Sequence, residues 1–171
     1  MFTIGHSTLP IDAFLGILKE NGVRSLVDIR TIPKSRHNPQ FAQENLEKSL
    51  KAADLHYRWQ KSLGGLRHPL KDSINTGWRN SSFRGYADYM QAPDFATAID
   101  ELLAASPHTQ TTVMCAEAVP WRCHRSLVGD ALLVRGIEVW DIMSPGRATL
   151  HKLTPWARVS GYQIAYPGES G

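Results

Sequence analysis

The amino-acid sequence predicts an α/β fold, a layered sandwich in which helices flank a mostly parallel sheet of about five strands. One observation predicts this fold class, and two others indicate a single globular domain. Short apolar runs alternate five times with segments of helical periodicity. Hydrophobic residues make up 42% of the chain and charged residues 20%, which is ordinary for a soluble globular domain. The 171 residues are enough to bury a single core.

The first strand and helix form the clearest pair. Residues 2–7 are an apolar run that ends in a glycine turn, and residues 9–22 repeat apolar side chains at helical spacing. We expect Ser7 or Thr8 to cap this helix and Gly22 to end it. The apolar face consists of Ile11, Phe14, Leu15 and Leu18.

The next elements alternate in the same way. We predict strands at 23–30 and 55–60, separated by a helix over 38–54 that Asn38 caps. Residues 62–82 show no regular periodicity. A connection of this length is more often functional or mobile than a short one.

Three further helices and two further strands complete a domain that spans residues 1–144. Asp94 is expected to cap the second of these helices, and Pro107 to stop it. Residues 145–171 form a tail whose packing the sequence does not indicate. The helices cover 83–90, 94–106 and 123–136, and the strands cover 111–117 and 137–144.

Polar side chains follow several of the predicted strands. Because ligands of parallel sheets bind beyond the carboxyl ends of the strands, we expect a site there. His6 could transfer protons or could be a hydrogen-bonded turn residue. Asp28 and Arg30 share a face, so they could form a salt bridge or contact a substrate together. The polar residues at these strand ends are His6, Ser7, Asp28, Arg30, Cys115, Glu117 and Asp141.

Cys123 lies at the predicted start of a helix, beside His124 and Arg125. Unpaired N–H groups at a helix start favour negative charge by about 0.3–1 kcal/mol. Neighbouring cations act in the same direction, so the sequence predicts a lowered pKa and a reactive thiol. Arg125 could bind a phosphate or carboxylate through two hydrogen bonds. Alternatively, Cys123 is a small inert residue packed against the sheet.

Cys115 ends a strand and could be a second nucleophile, a resolving thiol or a buried inert residue. The phosphatase arrangement Cys-x5-Arg is disfavoured, because Trp121 stands where its arginine would be. Glu117 could act as a general base, bind a substrate hydroxyl or pair with an arginine. A zinc site is weakly indicated, since the two cysteines are farther apart than structural zinc ligands usually are. We therefore predict no metal, and no cofactor is indicated.

A basic and aromatic stretch runs from Arg58 to Tyr89, with six basic residues against two acidic ones and five interleaved aromatic residues. Basic groups neutralise phosphates and aromatic faces stack bases, which favours nucleic-acid binding. The alternative is a solvated loop whose aromatic residues pack on the core. Within the stretch, Gly64 and Gly65 either let the backbone approach a ligand or form a simple turn.

The sequence contains no apolar run long enough for a membrane helix and no secretory leader pattern at its start. We expect a cytoplasmic protein that does not enter a membrane, with both thiols free. The formal charge of +3 is compatible with an anionic small molecule or a nucleic acid as partner.

Five short motifs together resemble the DUF488 family of uncharacterised proteins. The resemblance implies an α/β domain and a set of site positions, but no particular reaction or cofactor. The positions that it implies are Gly5, His6, Ser7, Asp28, Arg30, Pro33, Ser35, Gly64, Gly65, Arg84, Tyr86, Cys115, Glu117, Cys123, His124 and Arg125. The motifs are TIGHS (3–7), VDIRTIPKSR (27–36), LGG (63–65), FRGYADYM (83–90) and CAEAVPWRCHR (115–125).

The leading hypothesis is an enzyme with a cationic cleft that contains cysteine and acts on an anionic substrate, such as a nucleotide or nucleic acid. Cys123 or Cys115 would be the nucleophile or redox thiol. Arg30 and Arg125 would bind the anion, with Glu117 or His6 moving protons. Two alternatives remain open at this point: a non-catalytic nucleic-acid-binding module, and a thiol redox or metal sensor.

Overall fold

The computed structural model describes residues 1–105 and 107–169, so Ser106, at the end of the predicted 94–106 helix, lies outside the described residues. The strands of the main sheet are β1 (Phe2–Gly5), β2 (Ser25–Asp28), β3 (His56–Trp59), β4 (Thr111–Cys115), β5 (Trp140–Ser144) and β6 (Arg147–Leu150). The helices are α1 (Ile11–Glu20), α2 (Gln43–Ala52), α3 (Ser81–Tyr89), α4 (Pro93–Ala105) and α5 (Arg125–Leu133).

The sheet confirms the predicted fold class. Its spatial order is β3-β2-β4-β1-β5-β6, and every pairing is parallel except that of β5 with β6. The five predicted strands are all present, and β6 adds a sixth from the tail. β4 lies at the centre of the sheet, between β1 and β2, so its carboxyl end is flanked by the ends of two parallel strands.

Helices cover both faces of the sheet and create two apolar layers. α1 and α2 pack on one face, and α3, α4 and α5 pack on the other. Neighbouring residues of one strand serve opposite layers: Leu26 joins the first and Val27 the second, and Met114 and Val113 divide in the same way. Burial on both faces explains why the parallel strands read as continuous apolar runs rather than as alternating ones.

The predicted helix caps are wrong at three places. No side chain caps α1, because Ser7 adopts a left-handed backbone (φ 48°) and gives its N–H to the carbonyl of Ala116 instead. Pro39–Phe41 form a separate 3-10 turn, so α2 starts beyond the reach of Asn38. Asp94 lies inside the first turn of α4. Asn80 is the cap that the sequence reasoning missed: its side-chain oxygen accepts two backbone N–H groups at the start of α3.

The tail packs against the domain. β6 extends the sheet, and a two-stranded hairpin, β7 (Arg158–Ser160) and β8 (Gln163–Ala165), precedes Tyr166. The Tyr166 side chain is fully buried, and its hydroxyl donates to Asp130 of α5 at 2.8 Å. Its backbone N–H donates to the side chain of Asn75 at 2.8 Å. The tail therefore ties α5 to the irregular 62–80 segment.

Candidate active site

Both cysteines lie at the floor of an open cavity of about 450 Å³ at the carboxyl edge of the sheet, which we call the thiol cleft. Cys115 is the last residue of β4 and sits beside Gly5, its register partner at the end of β1. Cys123 precedes α5 and returns to the same edge. Each is almost fully buried, with 2% of Cys115 and 6% of Cys123 exposed. The two thiols are free, and both line this cavity.

Arg125 holds both sulfur atoms from behind. One guanidinium nitrogen, Nη1, lies 2.9 Å from the sulfur of Cys115 and 2.5 Å from the carbonyl oxygen of Glu117. The backbone N–H of the same residue points at the sulfur of Cys123, 3.4 Å away. Arg125 is fully buried and forms no ion pair with a carboxylate among the described residues. A buried guanidinium needs a counter-charge, and the nearest group able to supply one is the thiolate of Cys115.

The two thiols therefore ionise at different pH values. Burial raises the pKa of Cys115, but the hydrogen bond from Cys123 and the Arg125 charge outweigh it and lower the value to about 7. Burial, together with the hydrogen bond to Cys115 and its charge, raises the pKa of Cys123 well above its usual value. The expected lowering of the Cys123 pKa is therefore wrong. The helix begins two residues later than predicted, and Cys115 takes the negative charge instead.

Gly5 makes the approach of Arg125 to Cys115 possible. A side chain at this position would collide with the carbonyl oxygen of Glu117 and with Nη1 of Arg125. Only a residue without Cβ allows the 115–118 segment to cross the end of β1 so closely. Gly65 allows a similarly close approach by His124, because a Cβ at this position would lie 2.5 Å from Nδ1 of the ring.

His124 lines the thiol cleft as a neutral ring. Burial lowers its pKa to about 4. Its Nε2 lies 3.2 Å from the carbonyl oxygen of Ile29, which can only accept, so Nε2 carries the proton. Nδ1 is then an acceptor that faces the sulfur of Cys123 at 3.5 Å. Tyr86 packs on the imidazole at 4.9 Å between ring centres and donates its hydroxyl to the carbonyl of Leu63, so it positions the ring rather than facing the cleft.

Asp28 and Arg30 form the salt bridge that their spacing predicts. Two guanidinium nitrogens bind the carboxylate at 2.7 and 2.9 Å, and the Tyr57 hydroxyl adds a third hydrogen bond at 2.7 Å. Arg30 lines the cleft, but its charge is already compensated. His6 lies next to this pair, 3.4 Å from Arg30 and stacked on Phe41, and burial lowers its pKa to about 4. It is not among the residues that line the cleft.

The rim of the thiol cleft carries exposed charged side chains. Lys34 and Arg122 are exposed, line the cavity and form no ion pair among residues 1–105 and 107–169. Glu117 is also exposed at the rim, and only its backbone carbonyl meets an arginine. Lys34 was missed as a site residue, although it lies within a motif that resembles the family. The free charges at the rim sum to one positive charge.

The remaining predicted site residues do not line the cleft and make local contacts elsewhere. Ser35 accepts the backbone N–H of Asn38 at 3.1 Å, within the turn that follows the buried Pro33. Arg84 donates to the carbonyl of Trp78 at 3.0 Å, and Gly64 packs against Thr31. Ser7 borders a different, smaller cavity on the α1 side of the sheet.

Some residues of the basic and aromatic 58–89 stretch make contacts within the protein. Arg67 lies 3.6 Å from the ring centre of Tyr89 and donates to two backbone carbonyls. Trp78 packs against Trp156 at 5.0 Å between ring centres. Lys61, Lys71 and Arg79 remain exposed. Nucleic-acid binding by this stretch stays a prediction.

The described residues contain no group of three or more His, Cys, Asp and Glu side chains arranged to hold a metal ion. In the same part of the chain, no helix is both long enough and apolar enough to span a membrane.

Fold and site together define an α/β protein with two neighbouring thiols at the carboxyl edge of a parallel sheet. The family model described as "Domain of unknown function DUF488" matches residues 10–132, which is more than two thirds of the chain. The chain belongs to the DUF488 family, as its motifs indicated. The matched range contains both cysteines and excludes the Gly5 segment. No curated protein and no solved structure matches the chain.

Proposed function

We propose that the protein is a cysteine-dependent enzyme in which Cys115 attacks an electrophilic atom of an anionic substrate bound in the thiol cleft. The observation that carries the proposal is the 2.9 Å contact between the Cys115 sulfur and a buried guanidinium that has no carboxylate partner among the described residues. A thiolate is the nucleophilic form of cysteine, and a pKa of about 7 makes it abundant at neutral pH. The thiolate supplies the electron pair of the new bond, and the leaving group departs with the pair of the bond that breaks.

The rim supports an anionic substrate. Lys34 and Arg122 lie at the cavity mouth without ion-pair partners among the described residues, so they are available to a carboxylate or phosphate. A volume of about 450 Å³ is within the usual range for small-molecule sites. A nucleotide or the end of a nucleic acid would satisfy the same charge requirement. We place the protein in the cytoplasm, where a reducing environment keeps both thiols free.

The proposal is tested by alkylating the folded protein with anionic iodoacetate and neutral iodoacetamide between pH 5 and 9, with each modified cysteine identified by mass spectrometry. We expect Cys115 to react first, with a half-maximal rate near pH 7, and to prefer iodoacetate more than a free cysteine peptide does. Cys123→Ser should keep this reaction, and Cys115→Ser should lose it. If Cys115 reacts no faster in the folded protein than in the denatured one, the proposed function is wrong.

A further inference from the structure

We infer that Cys115 and Cys123 form a two-electron redox centre, in which Cys123 resolves a mixed disulfide on Cys115 and the substrate is a small disulfide that carries anionic groups. The inference rests on the proposed function, because it needs Cys115 as the nucleophile. It goes further by giving Cys123 a chemical role and by naming the bond that is attacked.

The geometry pairs the two sulfur atoms. They share Arg125 as a common donor, both line the same cavity, and each affects the pKa of the other. Cys123 lies in irregular chain between a 3-10 turn and α5, not within a regular element. A disulfide needs the sulfur atoms to approach to about 2.05 Å, so the proposed reaction includes a movement of the Cys123 side chain. The cavity opening leaves room for a substrate beside them.

When Cys115 reacts, electrostatic interactions favour a negative charge on Cys123 instead. While Cys115 is a thiolate, its charge opposes the ionisation of Cys123. Once Cys115 is bonded to a substrate sulfur, this repulsion ends and the buried Arg125 has lost its counter-ion. The Arg125 backbone N–H already points at Cys123, so the second thiolate is stabilised where it forms.

The electrons and protons balance. The Cys115 thiolate attacks the substrate disulfide R–S–S–R, forms Cys115–S–S–R and releases one R–S⁻, which takes the proton from the thiol of Cys123. The Cys123 thiolate then attacks the sulfur of Cys115, forms the intramolecular disulfide and releases the second R–S⁻. The substrate gains two electrons, and the thiol pair loses them. A reducing dithiol, as a separate reactant, returns the pair to its starting state.

The rim selects the substrate. Arg122 adjoins Cys123 in the chain, and Lys34 faces the same cavity. A disulfide flanked by carboxylates therefore meets compensating charge as its sulfur atoms reach Cys115. Its neutral counterpart gains nothing from these two residues.

The test adds one equivalent of 5,5′-dithiobis(2-nitrobenzoate), an anionic disulfide, to the reduced protein. We expect the wild type to release both thionitrobenzoate halves and to show a Cys115–Cys123 disulfide by peptide mass spectrometry. Cys123→Ser and Cys123→Ala should release one half and retain the other on Cys115. Dithiothreitol should restore both thiols. Neutral 4,4′-dithiodipyridine should react with a smaller advantage over a free cysteine peptide.

The outcomes separate this inference from the proposed function. A wild type that retains the thionitrobenzoate group on Cys115, without forming the internal disulfide, overturns the resolving role and leaves the nucleophile intact. A wild type in which Cys115 does not react overturns both. Because the wild type alone gives this answer, a Cys123 variant that fails to fold does not weaken the test.

Discussion

Nη1 of Arg125 lies 2.9 Å from the sulfur of Cys115, in a place where Arg125 is fully buried and only 2% of Cys115 is exposed. The two groups depend on each other. The guanidinium cannot lose its proton, and the described residues offer it no carboxylate. A thiolate at Cys115 would supply the counter-charge that the buried guanidinium lacks, and Arg125 together with Cys123 lowers the pKa of the thiol.

Substitution of Arg125 should change the pKa of Cys115 in a defined order. Arg125→Met removes the charge and its hydrogen bond, so the pKa should rise above 7, because Cys123 is then the main group that opposes the effect of burial. Arg125→Lys keeps a charge but loses the forked contacts, so its value should be intermediate. The pH dependence of iodoacetamide reaction at Cys115, measured by peptide mass spectrometry, checks this order. Equal pKa values in all three proteins would contradict it.

Gly5→Ala should destabilise the fold by about 3 kcal/mol or more, because the new methyl group meets the backbone of Glu117 and the Arg125 side chain. Gly16 offers a matched control, since it lies in α1 with open space around it. Gly16→Ala should instead stabilise the protein by up to about 1 kcal/mol. Urea unfolding of both variants gives the comparison. Equal stabilities would show that the close approach at Gly5 is not required.

Removal of the rim charges should reduce reaction with anionic reagents only. Lys34→Gln and Arg122→Gln should each lower the rate of Cys115 with iodoacetate by about two- to fivefold and leave the iodoacetamide rate nearly unchanged. Lys48→Gln is the control, because Lys48 is exposed on α2, outside the residues that line the cleft. The rate difference should shrink as salt is added. A similar loss with both reagents would point to a structural effect instead.

His151 should make the folded state less stable at alkaline pH. Burial lowers its pKa, but hydrogen bonds with Asp130 and Asp141 outweigh burial and raise it to about 9. Because the folded pKa is above the unfolded value of about 6.5, the contribution is complete below pH 6.5 and is lost as the pH rises through 9. Its full size is about 3 kcal/mol.

Cys115 changes the stability in the opposite direction over the same pH range. Because its folded pKa is lowered to about 7, its contribution to the free energy of unfolding grows as the pH rises. The measurement is therefore made on Cys115→Ser, by urea unfolding from pH 6.5 to 9.5. In the Cys115→Ser protein, His151→Gln should reduce the loss of unfolding free energy between pH 6.5 and 9.5. An unchanged decline would assign it to other groups. Below pH 6.5, His6 and His124 should lower stability, since burial depresses both pKa values to about 4.

Periodicity was sufficient to predict the helices and strands whose burial follows one face. Phe14 and Leu18 in α1, and Phe95 and Leu102 in α4, are buried at the positions that helical spacing indicated. β6 gave no such signal, because it is a short edge strand whose residues Arg147–Leu150 are half-exposed or exposed. Hydrophobic pattern cannot reveal a strand that buries so little.

The sequence predicted part of the cleft lining but not its arrangement. Cys115, Cys123, Glu117 and His124 do meet in one cleft, together with Arg30. Which thiol is acidic could not be deduced, because it depends on the position of the Arg125 guanidinium after the chain has turned through 116–124. Local reasoning favoured Cys123, since it considered neighbours in sequence. The contact that decides the matter joins residues ten positions apart.

The buried Tyr166 links the β7–β8 hairpin to the thiol cleft, although neither strand lines the cleft. Its hydroxyl donates to Asp130, which lies on the helix that begins with Arg125. Its backbone N–H donates to Asn75, which lies in the segment that leads into the cleft wall. A proteolytic nick between β7 and β8 would leave every cleft residue in place along the chain, but it should weaken the connection between α5 and the cleft wall. Cleavage there should therefore raise the pKa of Cys115 before it disrupts the sheet.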